Sequence, residues 1–397
     1  HSRWISSINW LSTPSSSVGT PETMCHDRYM IGSYRNWGEI FPVRRVEAGS
    51  EVLPLPPGDP LGAIRYLHGE GIRIRSLDDY IRDARLTGII VVDDGRVRLE
   101  RYAHGADRRS RLTGWSVTKS VVGTLVGIAL GEGRIESLDD PIDRYVPALA
   151  DTGYAGVPIE AVLQMSSGVD FVEDYSSRHS DSARMWEQVV VRRTVSGNDF
   201  LRTMEAEEPP YASFDYKAVD TQALAWLLES VTGRSLSAYL SARIWRPLGM
   251  EAAATWGLDG TGPAAGEVAY CCLNARLRDW ARLGVLMARD GVIEGRRQLP
   301  EGWVERATRS SRRQVMPGRL QEGYPLGYQY HWWTFPGNED AFTALGINGQ
   351  FLYVDPANDL VVASTAAWTD WWDRALEEEF YTIVETIEGM TADSGDG

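Results

Sequence analysis

The chain has 397 residues, a net charge of −15 and a hydrophobic fraction of 43%. That is enough for a large core, as one big domain or two interleaved ones. The acidic balance argues against nucleic acid or an anionic membrane surface as a partner, and no apolar run approaches the roughly 20 residues that span a bilayer, so membrane insertion is not expected.

Residues 1 to about 60 are rich in Ser, Pro and Gly and carry the breaker cluster Pro54-Leu55-Pro56-Pro57-Gly58. They read as an irregular arm around the body, with Trp10, Tyr34 and Trp37 as anchors. A short helix is expected over 77–85. Ile89 to Val92 and Val97 to Tyr102 flank Asp94-Gly95, a strong hairpin signal. A helix follows from Ser116 to about Leu130, stopped by Gly131 and Gly133. It is apolar nearly all round and should be buried between layers. From about 140 to 290 the pattern is mostly helical, notably 221–231 and 275–288. Strands return from about 325, with a second hairpin pairing 350–354 with 360–365. An amphipathic helix over about 371–387 closes the chain, and its Glu377-Glu378-Glu379 reads as a solvated face. Hairpins at both ends predict one antiparallel sheet with an inserted helical lobe, and a cleft between them.

Of 40 basic residues only Lys119 and Lys217 are lysines. Arginine keeps its charge under all ordinary conditions, whereas lysine can give up a proton and act as a base. Lys119 lies three residues after Ser116, and positions i and i+3 share one helix face, so the two side chains can hydrogen-bond across a turn. A serine hydroxyl becomes a good nucleophile only beside such a base. Gly114-Trp115-Ser116-Val117-Thr118 lacks the second glycine of a nucleophile elbow, and no histidine is placed to suggest a Ser-His-Asp set. There is no Cys-x-x-Cys or His-Glu-x-x-His, so no metal or other cofactor is expected. Cys25, Cys271 and Cys272 read as buried thiols, since neighbouring cysteines rarely pair.

Ser-x-x-Lys at the head of a buried helix resembles the serine β-lactamase and penicillin-binding-protein superfamily. The segments 115–130, 138–142 and 163–168 are similar to its class C branch, above all to the 6-aminohexanoate (nylon) oligomer hydrolases and related carboxylesterases. Glu173-Asp174-Tyr175, Leu224-Ala225-Trp226, Trp332-Trp333 and Gly346-Ile347-Asn348-Gly349-Gln350 support the likeness, which spans about 85 to 390. It implies an α/β (α+β) fold, a β-lactamase/penicillin-binding-protein-like antiparallel sheet flanked by helices with an inserted all-α lobe. The expected division is an N-terminal arm and first helix (1–84), a sheet domain (85–140 and 290–397) and a helical domain (141–289).

The resemblance further implies Ser116 as the acylated nucleophile, Lys119 as its proton partner and Tyr216 as the tyrosine that passes the proton to the leaving group. Backbone N–H groups of Ser116 and Leu345 would form the oxyanion hole. Tyr175, Asp181, Trp186, Tyr270 and Asn348 carry over as substrate contacts, Asp181 and Trp186 as the pair that recognises a substrate amine and closes over it. Two departures stand out. Tyr216 is followed by Lys217-Ala218 in place of a motif ending in Asn or Ser, and Phe342 replaces the third motif's lysine. Both argue against an efficient β-lactamase or peptidoglycan carboxypeptidase. Lys217 itself falls where the motif leaves identity free, and reads as incidental or as tuning Tyr216.

The expected function is hydrolysis of a small-molecule amide or ester through an acyl-enzyme on Ser116. Carboxylesterase, acyltransferase and non-catalytic binding module are the alternatives. Fifteen tryptophans favour a substrate with an apolar stretch. A homodimer is compatible with the sequence. A cytoplasmic location is expected, a periplasmic or secreted mature chain being left open by a start at His1 without methionine or a signal-like core.

Overall fold

The computed structural model describes residues 17–69, 73–337 and 340–392. Its centre is a seven-stranded antiparallel sheet. We number the strands in chain order: β1 (Leu86–Asp93), β2 (Arg96–Tyr102), β3 (Gly327–Gln329), β4 (Trp332–Thr334), β5 (Phe342–Gly346), β6 (Gln350–Asp355) and β7 (Leu360–Ala366). Their order across the sheet is β3-β4-β5-β6-β7-β1-β2, so the two ends of the chain meet where β7 pairs with β1. The β1–β2 turn has Asp94 at φ 47° and Gly95 at φ 68°. Two successive left-handed residues match the twist of the flanking strands, which is why Asp-Gly suits this turn.

Alternation along β1 divides the core. Ile89 and Val91 face one side, packed with Phe380, Ile383, Val384 and Ile387 of the last helix (Arg374–Ala392). Ile90 and Val92 face the other side, packed with the buried helix α1 (Val117–Gly131) and with Leu277–Ala288. Gly284 of that second helix lies against β7, where a Cβ would run into the Val361 side chain.

The inserted segment from about 141 is helical through Trp245, its longest helix being Ala218–Thr232. The expectation of an all-helical 141–289 needs refinement. Ala254–Gly257 and Leu273–Ala275 are strands of a second sheet, ordered Val43–Val46, Ala254–Gly257, Leu273–Ala275, Leu112–Thr113. These strands are two to four residues long, too short to announce themselves by alternation.

The arm also differs from expectation. Asp27–Arg35 and Trp37–Ile40 are helices and Val43–Val46 pairs with Ala254–Gly257, so the segment is ordered by what it packs on. Tyr34 and Trp37 are buried as expected. Trp10 lies outside the described residues.

The run 377–379 is not a uniform solvated face. Glu378 is exposed beside Arg374, but Glu377 and Glu379 are buried, because three-to-four residue spacing places them with Phe380, Val384 and Ile383. Glu377 accepts hydrogen bonds from Tyr324 Oη (3.0 Å) and Trp372 Nε1 (3.1 Å), and Glu379 from Tyr66 Oη (2.5 Å). Burial pushes the Glu377 carboxyl up to about 7, against those hydrogen bonds. Between the ordinary glutamate range and pH 7 the folded chain therefore holds a proton that the unfolded chain has released. This contribution to stability is complete in acid and is lost as pH rises through 7. Glu377→Gln should flatten the fall in stability between about pH 5 and pH 7.5, by on the order of 2–3 kcal/mol. Urea midpoints at the two pH values test this; an unchanged difference between them would contradict it.

Among the described residues no helix is long and apolar enough to cross a membrane, and no cluster of metal-type ligands forms.

Candidate active site

The cleft is built around the start of α1. Gly114 N donates to Leu273 O (3.0 Å), tying the loop before the helix to the small sheet. Trp115 then takes φ 44°, an uncommon conformation for a bulky residue and one that the surroundings must enforce. Its ring is held by Tyr34 (5.3 Å), Trp37 (5.4 Å) and Trp186 (5.7 Å). Ser116 follows as the residue preceding the helix, and the chain direction is thereby fixed on both sides of its hydroxyl.

Lys119 Nζ donates to Ser116 Oγ (2.8 Å) and to Tyr270 O (3.1 Å). Both side chains are buried, Lys119 at 2% exposure. Tyr216 completes the group by its ring: Lys119 Nζ lies 4.6 Å from the ring centroid. That ring stacks on Trp333 at 5.7 Å and meets Tyr328 edge-on. Chemically, the arrangement puts a nucleophile on a buried amine with a phenol alongside, and requires no metal-bound water. His331, buried beneath, is held neutral with its pKa pushed down to about 3, by burial first and by Lys119 second.

Leu345, next to last in β5, lines the same cleft as Ser116. The next residue, Gly346, runs so close to the loop before the helix that a Cβ would stand 2.5 Å from Gly114 O. A side chain there would push the strand away from the serine.

Two compartments meet at Ser116. The outer one, about 360 Å³, is lined by Tyr216, Leu345, Trp333, Tyr324, Trp371 and Trp372, among others. The inner one, about 320 Å³, reaches Trp115, Lys119, Trp186, Tyr270, Met30 and Met185. Glu173, Tyr175, Ile347 and Trp371 line both. Lys119 is the one basic residue among those lining either compartment. Phe342, at the position of the third motif's lysine, is fully buried against Trp332 and offers no anchor for a substrate carboxylate.

The carried-over substrate contacts separate. Tyr175, Trp186 and Tyr270 line the compartments, and the buried Tyr270 hydroxyl has no protein partner. Asn348 lines the inner compartment but its amide is spent: it accepts from Tyr34 Oη (2.9 Å) and donates to Trp368 O (2.9 Å) and Asp370 O (3.2 Å). Asp181 is not brought to either compartment. It accepts from Val172 N (2.9 Å) and pairs with Arg184 (2.7 Å), as a carboxylate in the first turn of a helix commonly does.

Three further findings were not foreseen. Glu173 accepts from Ala218 N (2.8 Å) and from Tyr175 Oη, placing a carboxylate at the junction of the compartments; burial raises its pKa against the pull of Lys119. Its only signal was membership of a family-like tripeptide. Lys217 is not incidental: it is buried, donates to Val169 O and pairs with Asp215 (3.1 Å), so it clamps the backbone on either side of Tyr216. Cys271 and Cys272 are joined as a disulfide rather than standing as thiols, Cys25 alone remaining free. The chain turns sharply at Cys272, φ 78°, and this brings the neighbouring sulfurs together directly after the carbonyl that holds Lys119.

An antiparallel sheet, a helical insert and a serine–lysine pair at their junction define a serine hydrolase of the β-lactamase and penicillin-binding-protein fold. The Beta-lactamase family profile matches residues 77–384, and the chain belongs to that family. It is 29% identical over 369 residues to the 6-aminohexanoate-dimer hydrolase of Paenarthrobacter ureafaciens, covering 90% of this chain and 91% of that one. Among solved structures it is similar to a "Putative 6-aminohexanoate-dimer hydrolase from Bacillus anthracis", with a TM-score of 0.81, 24% identity and coverage of 94% and 95%. It is also similar to a family VIII carboxylesterase, with a TM-score of 0.59, 17% identity and coverage of 79% and 97%.

Proposed function

We propose that the protein hydrolyses a small carboxylic amide or ester through an acyl-enzyme on Ser116, as its likeness to a 6-aminohexanoate-dimer hydrolase suggests. The observation that carries this reading is the 2.8 Å contact between Ser116 Oγ and the buried Lys119 amine at the floor of an aromatic cleft. Ser116 Oγ attacks the carbonyl as its proton passes to Lys119. The backbone N–H groups of Ser116 and Leu345 receive the oxyanion, where fixed donors in a dry site stabilise developing charge. Tyr216 delivers the proton to the leaving amine or alcohol, and Lys119 restores the phenol's proton. Water then attacks the acyl-enzyme, with the same groups run in reverse, and releases the acid.

Tyr175 and Trp186 are assigned to substrate contact, and Glu173 to the electrostatics of the junction. Asp181 and the Asn348 amide are left out, because both are occupied by the protein itself. The division into arm, sheet domain and helical domain is kept, with helix Leu277–Ala288 moved to the sheet layer on which it packs.

Intact-mass measurement across aryl esters, linear amides and β-lactams tests the reading. The expected result is an adduct equal to the acyl group, on the peptide containing Ser116, from esters and amides and not from β-lactams. Turnover without any serine adduct would remove the acyl-enzyme; a stable β-lactam adduct would return the protein to the penicillin-binding class.

A further inference from the structure

Resting on that acyl-enzyme reading, we infer that the inner compartment receives an uncharged, apolar acyl chain. The favoured substrates are then amides or esters of neutral aliphatic acids rather than of ω-amino acids or diacids. The geometry sets the direction first. A leaving group must sit beside the phenol that gives it a proton, and Tyr216 lines the outer compartment alone. The acyl group is left with the inner one.

Nothing in that compartment is free to pair with a charge at the far end of the chain. Lys119 and Glu173, its two ionisable groups of opposite sign, both lie at the Ser116 end. Lys119 is spent on Ser116 Oγ and Tyr270 O, and Glu173 on Tyr175 Oη and Ala218 N. The remaining walls set Met30, Met185, Ala183 and Trp186 beside the uncharged Ser182, Thr369 and Asn348, with no further acidic or basic side chain. Asp181, the carboxylate that would take an ammonium group, is turned to Val172 N and Arg184. Its buried unpartnered polar atoms, the Tyr270 hydroxyl and the Trp115 indole N–H, are both neutral. A neutral phenol can meet an oxygen along the chain but cannot neutralise an ion.

Burial of each methylene is worth about fourfold in affinity, while an ion transferred without a partner is penalised far more than that. A compartment of about 320 Å³ is at the small end of ligand sites and suits a chain of modest length.

The test is a series of p-nitrophenyl esters that keeps the leaving group constant: acetyl, butyryl, hexanoyl, 6-aminohexanoyl and the adipic monoester, with the full chain at neutral pH. We expect kcat/KM to climb by about fourfold per added methylene to hexanoyl. The hexanoyl ester should exceed both charged analogues by at least about thirtyfold. A 6-aminohexanoyl ester turned over as well as hexanoyl, or a series flat in chain length, would overturn the inference and leave the acyl-enzyme intact. Absence of a Ser116 adduct across the whole series would overturn both. As a second arm, Asp181→Asn should leave the ratio of 6-aminohexanoyl to hexanoyl turnover unchanged, a readout insensitive to the folded fraction. A tenfold fall in that ratio would put Asp181 on the substrate and defeat the inference.

Discussion

Ser116→Ala is expected to reduce kcat by on the order of a millionfold, the scale seen when the attacking group of a serine hydrolase is removed. The change takes away one hydroxyl and one hydrogen bond, worth about 1 kcal/mol. Lys119 keeps its second acceptor, Tyr270 O. The variant should therefore unfold within a few degrees of the parent and still bind substrate. Calorimetry beside a turnover assay separates the two effects: retained turnover would mean that another residue attacks, and a collapsed melting point would make the assay uninformative about chemistry and require Ser116→Cys instead.

The second large effect is expected at Lys119. Lys119→Arg preserves a positive charge and a donor near the serine, yet should lose about 10³- to 10⁴-fold in kcat/KM, close to Lys119→Ala. General-base catalysis contributes on that scale, and a guanidinium does not give up its proton. If charge alone oriented the serine, the arginine variant would outperform alanine by orders of magnitude. The ratio of kcat/KM between the arginine and alanine variants, measured side by side with folding checked by calorimetry, decides between these.

How much of this was legible beforehand varies with the range of the interaction involved. Ser116 and Lys119 could be paired from spacing alone, because a helix turn fixes i and i+3 whatever the rest of the chain does. The Asp94-Gly95 hairpin was equally local. The layered fold followed from the family-like segments and from strands at both ends of the chain. What escaped depended on partners and backbone turns that the identity of the residue does not announce. Glu377 and Glu379 look like surface charge until Tyr324, Trp372 and Tyr66 are brought against them. Asp181 satisfies the family's spacing, but Arg184 one turn on and Val172 nine residues back claim its carboxylate first. Lys217 reads as incidental in sequence because its acceptor, Val169 O, lies 48 residues away. Adjacent cysteines seldom pair, and the left-handed turn at Cys272 that allows it is not written in their identity.

The arm has a practical consequence for anyone recombining or trimming proteins of this kind. The family profile begins at residue 77, whereas the rings that prop Trp115 and the hydroxyl that secures Asn348 come from Trp37 and Tyr34. A cut made at the profile's edge would spare every residue assigned to bond cleavage while discarding the scaffolding that holds the serine's loop and the cleft's far wall in register. Chimeras and expression libraries drawn from this chain should keep at least residues 27–46 with the body, since the span of the family profile is narrower than the span of the working machine.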